Sequence, residues 1–135
     1  MNLQALTFRK AERLCSRDAF TKLFDDGNIL YTKSFRIIWR PSSGSAPAQA
    51  QAAFSVGKKN FRKAVDRNLL KRRMREAYRL EKKRLYDHLD KINLKISLII
   101  IYRENTINSF AGISQQIALA IDKLCIDLNE KHKTI

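Results

Sequence analysis

Apolar residues recur at helical spacing in three segments of this chain and alternate or cluster in three others. Between residues 17 and 26 they form a single stripe, with Ser16 placed to cap a helix and Gly27 placed to end it. The spacing predicts a first helix over about residues 17–26, whose apolar positions are Ala19, Phe20, Leu23 and Phe24.

Three segments have the pattern of β-strands. The first, residues 30–40, presents Phe35, Ile37 and Trp39 on one face and Arg36, Ile38 and Arg40 on the other. Residues 41–51 are rich in Ser, Ala, Gln and Pro, which predicts an exposed hairpin loop leading to a second strand over 52–58. The isoleucine-rich run 96–103 is typical of a strand that is buried on both faces.

Two longer helices complete the predicted fold. Residues 68–89 carry basic residues every four positions beside a core stripe of Leu70, Met74, Ala77 and Tyr78. Asn108 or Ser109 caps a last helix, whose core stripe is Phe110, Ile113, Ile117, Ile121, Leu124 and Leu128. The order α-β-β-α-β-α predicts an α/β (α+β) two-layer sandwich with a small mixed sheet. The chain has 135 residues, and we expect a single domain over 1–135.

Charge is distributed unevenly along the chain. Its net charge is +14, and residues 58–86 hold 13 of the 27 basic residues but only three of the 13 acidic ones. A run of charge is often just the solvated face of a helix. Here most of the acidic partners for i,i+4 pairs are missing, so the face repels itself unless a polyanion neutralises it. The pattern therefore favours contact with nucleic acid.

Several classes of function lack the residues they need. The longest apolar run, 98–102, is far too short to span a bilayer, and the first twenty residues contain no hydrophobic signal core. We therefore expect a cytoplasmic protein with no membrane partner. Cys15 and Cys125 are isolated, as are His88 and His132, which argues against a disulfide framework and a metal site. No nucleophile motif is recognisable, so we predict no catalytic residue and no metal ligand in this chain.

One long segment resembles a known family. Residues 54–83 read FSVGKKNFRKAVDRNLLKRRMREAYRLEKK. This resembles the signature of the bacterial ribonuclease P protein subunit, in which a strand ends in Lys-Lys and, after a connector, Arg-Asn-x-x-Lys-Arg-x-x-Arg-Glu opens a helix. Upstream, RLCSRDAFTKLFDDG is similar to that family's first helix, and downstream ISLIIIYR is similar to its last strand. The resemblance covers nearly the whole chain.

The resemblance implies a fold and an activity beyond those indicated by the pattern itself. The fold would be a two-layer sandwich, similar to a ribosomal protein domain, with a left-handed βαβ crossover that departs from the general right-handed preference. The chain would be a protein cofactor of an endoribonuclease. A large RNA would carry the active site and, with Mg²⁺ that it mainly binds itself, hydrolyse the bond between the 5′ leader and the rest of precursor tRNA. The partners would be ribonuclease P RNA, in a 1:1 complex with a monomeric protein, and precursor tRNA.

The same resemblance assigns the basic side of the long helix to the catalytic RNA, through Arg67, Asn68, Lys71, Arg72, Arg75 and Arg79. Arginine can grip a phosphate bidentately. Asn68 has two readings: at the predicted helix start it can act as a cap, or it can contact the catalytic RNA or a metal-bound water as in the family. The family usually has a second Arg directly after this Asn, where this chain has Leu69.

A cleft between the first helix and the sheet would receive the single-stranded leader. The resemblance places in it Phe20, Phe24, Ile38, Ser55, Lys59 and Arg67. The two phenylalanines also have two readings, core packing of an amphipathic helix or stacking on unpaired bases. Ile38 stands where the family has an aromatic residue, and a one-residue shift of the strand would put Trp39 in the cleft instead.

Two other functions fit part of the pattern. A structural RNA-binding protein of the ribosomal type would carry the same charge, but it has no need of two phenylalanines beside Lys59. A membrane-surface helix would need a broad apolar face, which residues 67–89 lack. We therefore predict the ribonuclease P cofactor function, with the ribosomal-type protein as the alternative.

Overall fold

The computed structural model describes residues 7–133, and the side chains of residues 7–131. Within these described residues, a short 3-10 helix, Lys10–Glu12, is followed by three helices and four strands. These are α1 (Arg17–Asp26), β1 (Asn28–Tyr31), β2 (Phe35–Pro41), β3 (Ala50–Val56), α2 (Ala64–Lys91), β4 (Ile96–Tyr102) and α3 (Phe110–Lys133).

The four strands form one mixed sheet in the order β1-β2-β4-β3. The pairs β1/β2 and β2/β4 are antiparallel, whereas β3 and β4 are parallel neighbours joined through α2. The expected small mixed sheet and βαβ unit are therefore confirmed, and the left hand of the crossover stays a prediction of the resemblance. Strand β4 lies in the interior of the sheet, which explains why six of its seven residues are buried.

The two faces of the sheet are covered differently. Helices α2 and α3 pack on one face and enclose the main core, to which β2 contributes Phe35, Ile37 and Trp39. On the opposite face α1 covers a smaller cluster of buried residues, Leu14, Leu23, Ile38 and Ile99. Because α1 is only ten residues long, part of this second face stays open beside it.

The first helix confirms its prediction at both ends. The Ser16 hydroxyl accepts a hydrogen bond from the Ala19 N–H at 3.3 Å, and Gly27 ends the helix with its N–H on the Leu23 carbonyl. Gly27 is needed for close approach rather than for an unusual backbone angle. A Cβ built there would lie 2.4 Å from the Ile38 Cγ2 and from the Leu23 carbonyl oxygen.

The predicted strand 30–40 is wrong, because it is two strands. A turn at Thr32–Ser34 separates β1 from β2, and Thr32 and Phe35 close it. The Thr32 N–H donates to the Phe35 carbonyl at 2.8 Å, and the Phe35 N–H donates to the Thr32 hydroxyl at 3.0 Å. The Thr side chain thus supplies the turn that Gly or Pro usually marks in a sequence.

The predicted hairpin over 41–51 is also wrong. Strand β4 lies between β2 and β3, so these two consecutive strands are not partners. The connecting loop ends earlier than expected, because Ala50 already pairs with Ile96, and β3 spans Ala50–Val56 rather than 52–58. The sheet order depends on the later strand β4, which local turn composition does not encode.

The long helix starts four residues before its predicted first residue. Lys63 precedes its first turn, and Asn68 lies exposed in the second turn. The capping reading of Asn68 is therefore wrong. In the last helix, the Ser109 hydroxyl accepts from the Gly112 N–H at 3.2 Å, which selects Ser109 as the cap, and Phe110 lies 38% exposed at the end of an otherwise buried stripe. Across residues 7–133, none of the helices combines the length and apolar character that crossing a bilayer requires.

Candidate nucleic-acid interface

The basic residues of α2 fall into two groups with different surroundings. In the C-terminal half, acidic side chains of the same chain neutralise four of them, and Lys91 at the end of the helix is the one lysine or arginine there without an ion pair in the described residues. Arg79 holds Glu76 at 2.5 Å, Lys83 holds Asp87 at 2.8 Å, and Arg84 bridges to Asp122 of α3. The Arg79 hydrogen bond also holds the pKa of Glu76 below its ordinary value. This half of the helix keeps little charge to offer a partner.

The N-terminal half of α2 and the connector before it are different. Within the described part of the chain, none of the basic residues here makes an ion pair. Apart from Arg73, which turns toward α3, they are Lys58, Lys59, Arg62, Lys63, Arg67, Lys71, Arg72 and Arg75. Most are exposed. Positive charge is thus concentrated at the helix N-terminus, the end where the helix dipole also favours an anion. We call this group the basic end of α2.

Arg67 has a structural task within the basic end. Its Nη1 donates to the carbonyl oxygens of Phe61 and Arg62, both at 2.8 Å. These bonds fix the connector that carries Lys58 and Lys59 against the first turns of α2. The other guanidinium donors of Arg67 stay available, because an arginine has five N–H groups.

Arg75 and Arg73 show how α2 is oriented. Arg73 donates to the Asn108 carbonyl next to α3, so this flank of the helix faces its partner helix. On the other flank, Arg75 lines a groove of about 290 Å³ along the β3 edge together with Phe8, Arg13, Ala52 and Phe54. The exposed side of the basic end therefore faces outward beyond the β3 edge of the sheet.

The open face of the sheet is organised in rows that run across the strands. One row consists of Ser55, Ile101, Arg36 and Tyr31, from β3 to β1. The next row, which includes Ile38 and Ile99, lies under α1, and a third row contains Gln51, Ser97 and Arg40. The rows at the two ends thus border opposite flanks of α1.

The side chains of α1 show which flank borders which row. Ala19 and Leu23 face the sheet, and Leu23 is completely covered. Asp18 and Lys22 line a polar groove of about 430 Å³ with Arg40 and Ser97 of the third row. Phe20 and Phe24, on the opposite flank of the helix, therefore border the first row. We call this first row, with the two phenylalanines above it, the aromatic shelf.

The predicted cleft residues lie at different depths of the shelf. Phe24 is 55% exposed, whereas Phe20 is half-buried against the cluster around Ile38. Ser55 is half-buried within the row, and Lys59 lies exposed in the turn that follows β3. The shelf therefore runs from the basic end of α2 across the sheet to β1.

Ile38 and Trp39 face opposite sides of the sheet. Ile38 is 1% exposed and lies beneath Leu23, so it supports α1 from below. Trp39 belongs to the main core, where its indole N–H donates to the Asp127 carboxylate at 2.7 Å. The expected strand faces are confirmed, and Trp39 does not reach the shelf.

Sequence reasoning missed three residues of the shelf, Ile101, Arg36 and Tyr31. The predicted faces already put Arg36 beside Ile38, and this was the available signal. Tyr31 had no such signal, because β1 was not recognised as a strand that pairs with β2. Tyr31 is 48% exposed, and the Arg103 guanidinium lies 4.8 Å from the centre of its ring.

Among residues 7–131, no three His, Cys, Asp or Glu side chains come together in a group that would hold a metal ion. His88 is half-buried in α2, and the side chain of His132 lies outside the described residues.

Comparison with known proteins identifies the family. The family model described as Ribonuclease P matches residues 8–125, which is most of the chain. The chain belongs to the ribonuclease P protein family. The ribonuclease P protein component of Porphyromonas gingivalis is 33% identical over 106 residues, which cover 78% of this chain and 77% of that protein. The component from Citrifermentans bemidjiense is 34% identical over 117 residues, covering 87% of this chain and 91% of that protein.

Solved structures of the ribonuclease P family have the same fold. The Staphylococcus aureus RNase P protein superposes with a TM-score of 0.64 at 23% identity, covering 84% of this chain and 97% of that chain. The Thermotoga maritima protein also gives 0.64 at 23% identity, covering 83% and 96%. The predicted resemblance and the α/β sandwich are therefore confirmed.

Proposed function

We propose that this chain is the protein subunit of ribonuclease P and assists the endonucleolytic removal of the 5′ leader from precursor tRNA. The observation that carries the proposal is the position of the unpaired basic end of α2 directly beside the aromatic shelf. One surface is suited to a folded RNA, and the adjoining surface is suited to a single strand. Family membership does not favour the ribosomal-type alternative.

The basic end of α2 would bind the ribonuclease P RNA. Lys71, Arg72 and Arg75 have no carboxylate partner in the described part of the chain, so an RNA phosphate would replace solvent counterions rather than an internal ion pair. Asn68, exposed one turn before Lys71 in α2, would donate to the same RNA. Arg67 would keep the connector in position while its remaining donors face the phosphates. Arg79, already paired with Glu76, would contribute least.

The aromatic shelf would bind the leader. Unpaired bases stack on exposed aromatic rings whatever their sequence, and Phe24 presents such a ring. Lys59 and Ser55 would contact the backbone of the strand where the shelf meets the basic end of α2. Ile38 would support α1 rather than touch the RNA, because it is completely covered. This arrangement lets one protein hold the catalytic RNA and the leader next to each other.

The chemistry would belong to the RNA subunit. Mg²⁺ bound mainly by that RNA would activate the attacking water and stabilise the charge that develops on the phosphate. This chain would act by positioning, because it holds the leader in line with the RNA and neutralises the phosphates that come together. We propose a cytoplasmic complex of one protein monomer and one RNA.

A binding experiment separates this function from general RNA binding. The affinity of the chain is measured for a bacterial ribonuclease P RNA and for a structured ribosomal RNA fragment of similar length, at several salt concentrations. We expect tighter binding to ribonuclease P RNA at every salt concentration, and a preference for precursor over mature tRNA once the complex has formed. Equal affinity for both RNAs at all salt concentrations would contradict the proposal.

A further inference from the structure

Strand β2 carries two arginines on the open face of the sheet, and their surroundings differ. Arg40 lies on the far flank of α1, where its guanidinium meets the Asp26 carboxylate at 3.7 Å. Arg36, two residues earlier, lies in the row of the aromatic shelf between Ile101 and Tyr31. In the described part of the chain it has no ion pair, and its buried Nε has no hydrogen-bond partner.

The Arg36 side chain lacks an acceptor for its buried Nε–H. A buried N–H without an acceptor is unfavourable, and nearly all such groups in proteins find a partner. The Arg36 side chain is half-buried, so the guanidinium is partly desolvated while its outer nitrogens remain accessible. An acceptor that enters the shelf would complete it, and a phosphate fits the planar fork of the guanidinium.

Tyr31 extends the same place with an aromatic surface. Its ring is about half exposed, and the Arg103 guanidinium, which the Thr32 carbonyl holds at 2.5 Å, lies over one side of it. The Lys123 ammonium donates to the Tyr31 backbone carbonyl at 2.6 Å and fixes the strand edge. Arg103 covers one side of the ring, and the exposed part of the ring can stack on a base beside Arg36.

We propose that Arg36 and Tyr31 form a further RNA subsite at the β1 end of the aromatic shelf, which binds a nucleotide of the leader distant from the cleavage site. Arg36 holds the phosphate and Tyr31 stacks on the base. The inference rests on the proposed function. The catalytic RNA binds at the other end of the shelf, next to Lys59, so a leader that continues along the row reaches Tyr31 with its upstream nucleotides. The subsite therefore serves precursors with long leaders and is empty for short ones.

The test compares Arg36→Gln with Arg40→Gln, a matched control on the same face of the same strand. Holoenzymes are reconstituted with a bacterial ribonuclease P RNA, and affinities are measured for mature tRNA and for precursors whose leaders are shortened one nucleotide at a time. We expect Arg36→Gln to weaken binding of the longest precursor about tenfold and to flatten its salt dependence by about one phosphate contact. The loss should vanish below a definite leader length, and Arg40→Gln should bind like the unmodified chain.

Two further variants make the outcome decisive. Arg36→Lys keeps the aliphatic stem and the charge, and should recover the salt dependence and part of the affinity. If Arg36→Gln lowers the melting temperature and weakens the binding of mature and precursor tRNA equally, Arg36 is a packing residue and the proposed subsite is wrong. If Arg36→Gln has no effect while Lys59→Ala lowers the preference for precursor, the subsite is wrong and the leader shelf stands. If neither variant changes that preference, the assignment of the shelf to the leader is wrong as well.

Discussion

Lys82 and Glu12 form an ion pair that is buried on both sides, although 70 residues separate them in the sequence. The Tyr86 hydroxyl also donates to the Glu12 carboxylate, at 2.5 Å. The pair attaches the segment before α1 to the middle of α2. It also shows that a lysine within the basic run 58–86 has a structural function, which net charge alone would have assigned to RNA.

The buried pair predicts an acid-sensitive contribution to stability. Burial alone would raise the pKa of Glu12, but hydrogen bonds from Lys82, Tyr86 and the Arg9 N–H outweigh it, and the pKa lies below the ordinary value of 4.5. Glu12 therefore stabilises the fold above that value, and the contribution is lost as the pH falls through the lower, folded-state pKa. Glu12→Gln should reduce the free energy of unfolding by about 3 kcal/mol at neutral pH, and the difference should shrink at acid pH.

Urea denaturation of both proteins from pH 7 to pH 3 measures this difference. Asp87→Asn, which breaks the exposed pair with Lys83, is the control and should change stability by less than about 1 kcal/mol. A difference between Glu12→Gln and the unmodified chain that stays constant down to pH 3 would show that the carboxylate charge is not what stabilises the fold.

Gly27 makes a prediction about packing. Its missing Cβ lets α1 end against Ile38, and Gly27→Ala would place an atom 2.4 Å from that side chain and from the Leu23 carbonyl. We expect a loss of about 1–3 kcal/mol in the free energy of unfolding. Gly57→Ala is the control, because nothing lies within 4 Å of a Cβ built there. Equal melting temperatures for the two variants would mean that α1 can shift away from the sheet without loss.

The division of α2 into a paired and an unpaired half predicts different effects of removing the same charge. Arg72→Ala with Arg75→Ala should weaken binding to ribonuclease P RNA and reduce the slope of its salt dependence by about two, one for each lost phosphate contact. Lys83→Ala with Arg84→Ala removes the same charge from the half that acidic side chains neutralise, and should change the slope little. Similar slopes for the two double variants would mean that RNA binding depends only on the net charge of the chain and not on where the charge lies in α2.

The two phenylalanines of α1 should separate in their effects. Phe24 is mostly exposed, so Phe24→Ala should leave the melting temperature unchanged. The same change should weaken the binding of precursor tRNA by about 1–3 kcal/mol relative to the binding of mature tRNA. Phe20→Ala should lower both the melting temperature and the preference for precursor tRNA, because the Phe20 ring also packs on the cluster around Ile38. The measurement is the ratio of precursor to mature affinity beside a thermal melt. If Phe24→Ala leaves that ratio unchanged, the exposed ring does not stack on the leader.

The periodic parts of the fold could be predicted from the sequence because local patterns specify them. Ser16 and Gly27 mark the ends of α1, and the isoleucines of β4 mark a strand covered on both faces. The turn at Thr32 could not be predicted, because its hydrogen bonds come from a threonine that local composition does not distinguish from a strand residue. The place of β4 between β2 and β3 depends on pairing across more than forty residues, which no local signal carries.

The candidate site could be predicted from the sequence only in part, for a related reason. Family resemblance supplied Lys59 and Phe24, but burial and pairing decide which residues are available. Arg79 and Lys82 carry the same charge as Arg72 in the sequence, yet each meets an acidic side chain in the fold. Arg36 became a candidate only when the structure showed its Nε buried without a partner.

The central claim is that this chain assists a catalytic RNA that cleaves precursor tRNA. The most direct test is to add the purified protein to a bacterial ribonuclease P RNA at a Mg²⁺ concentration too low for the RNA to act alone, and to follow release of the 5′ leader. We predict that the protein restores cleavage at the mature 5′ end, that the protein alone cleaves nothing, and that Arg72→Ala with Arg75→Ala requires more protein for the same rate. Cleavage by RNA-free protein that survives nuclease treatment of the preparation, or no restoration at any protein concentration, would contradict the account.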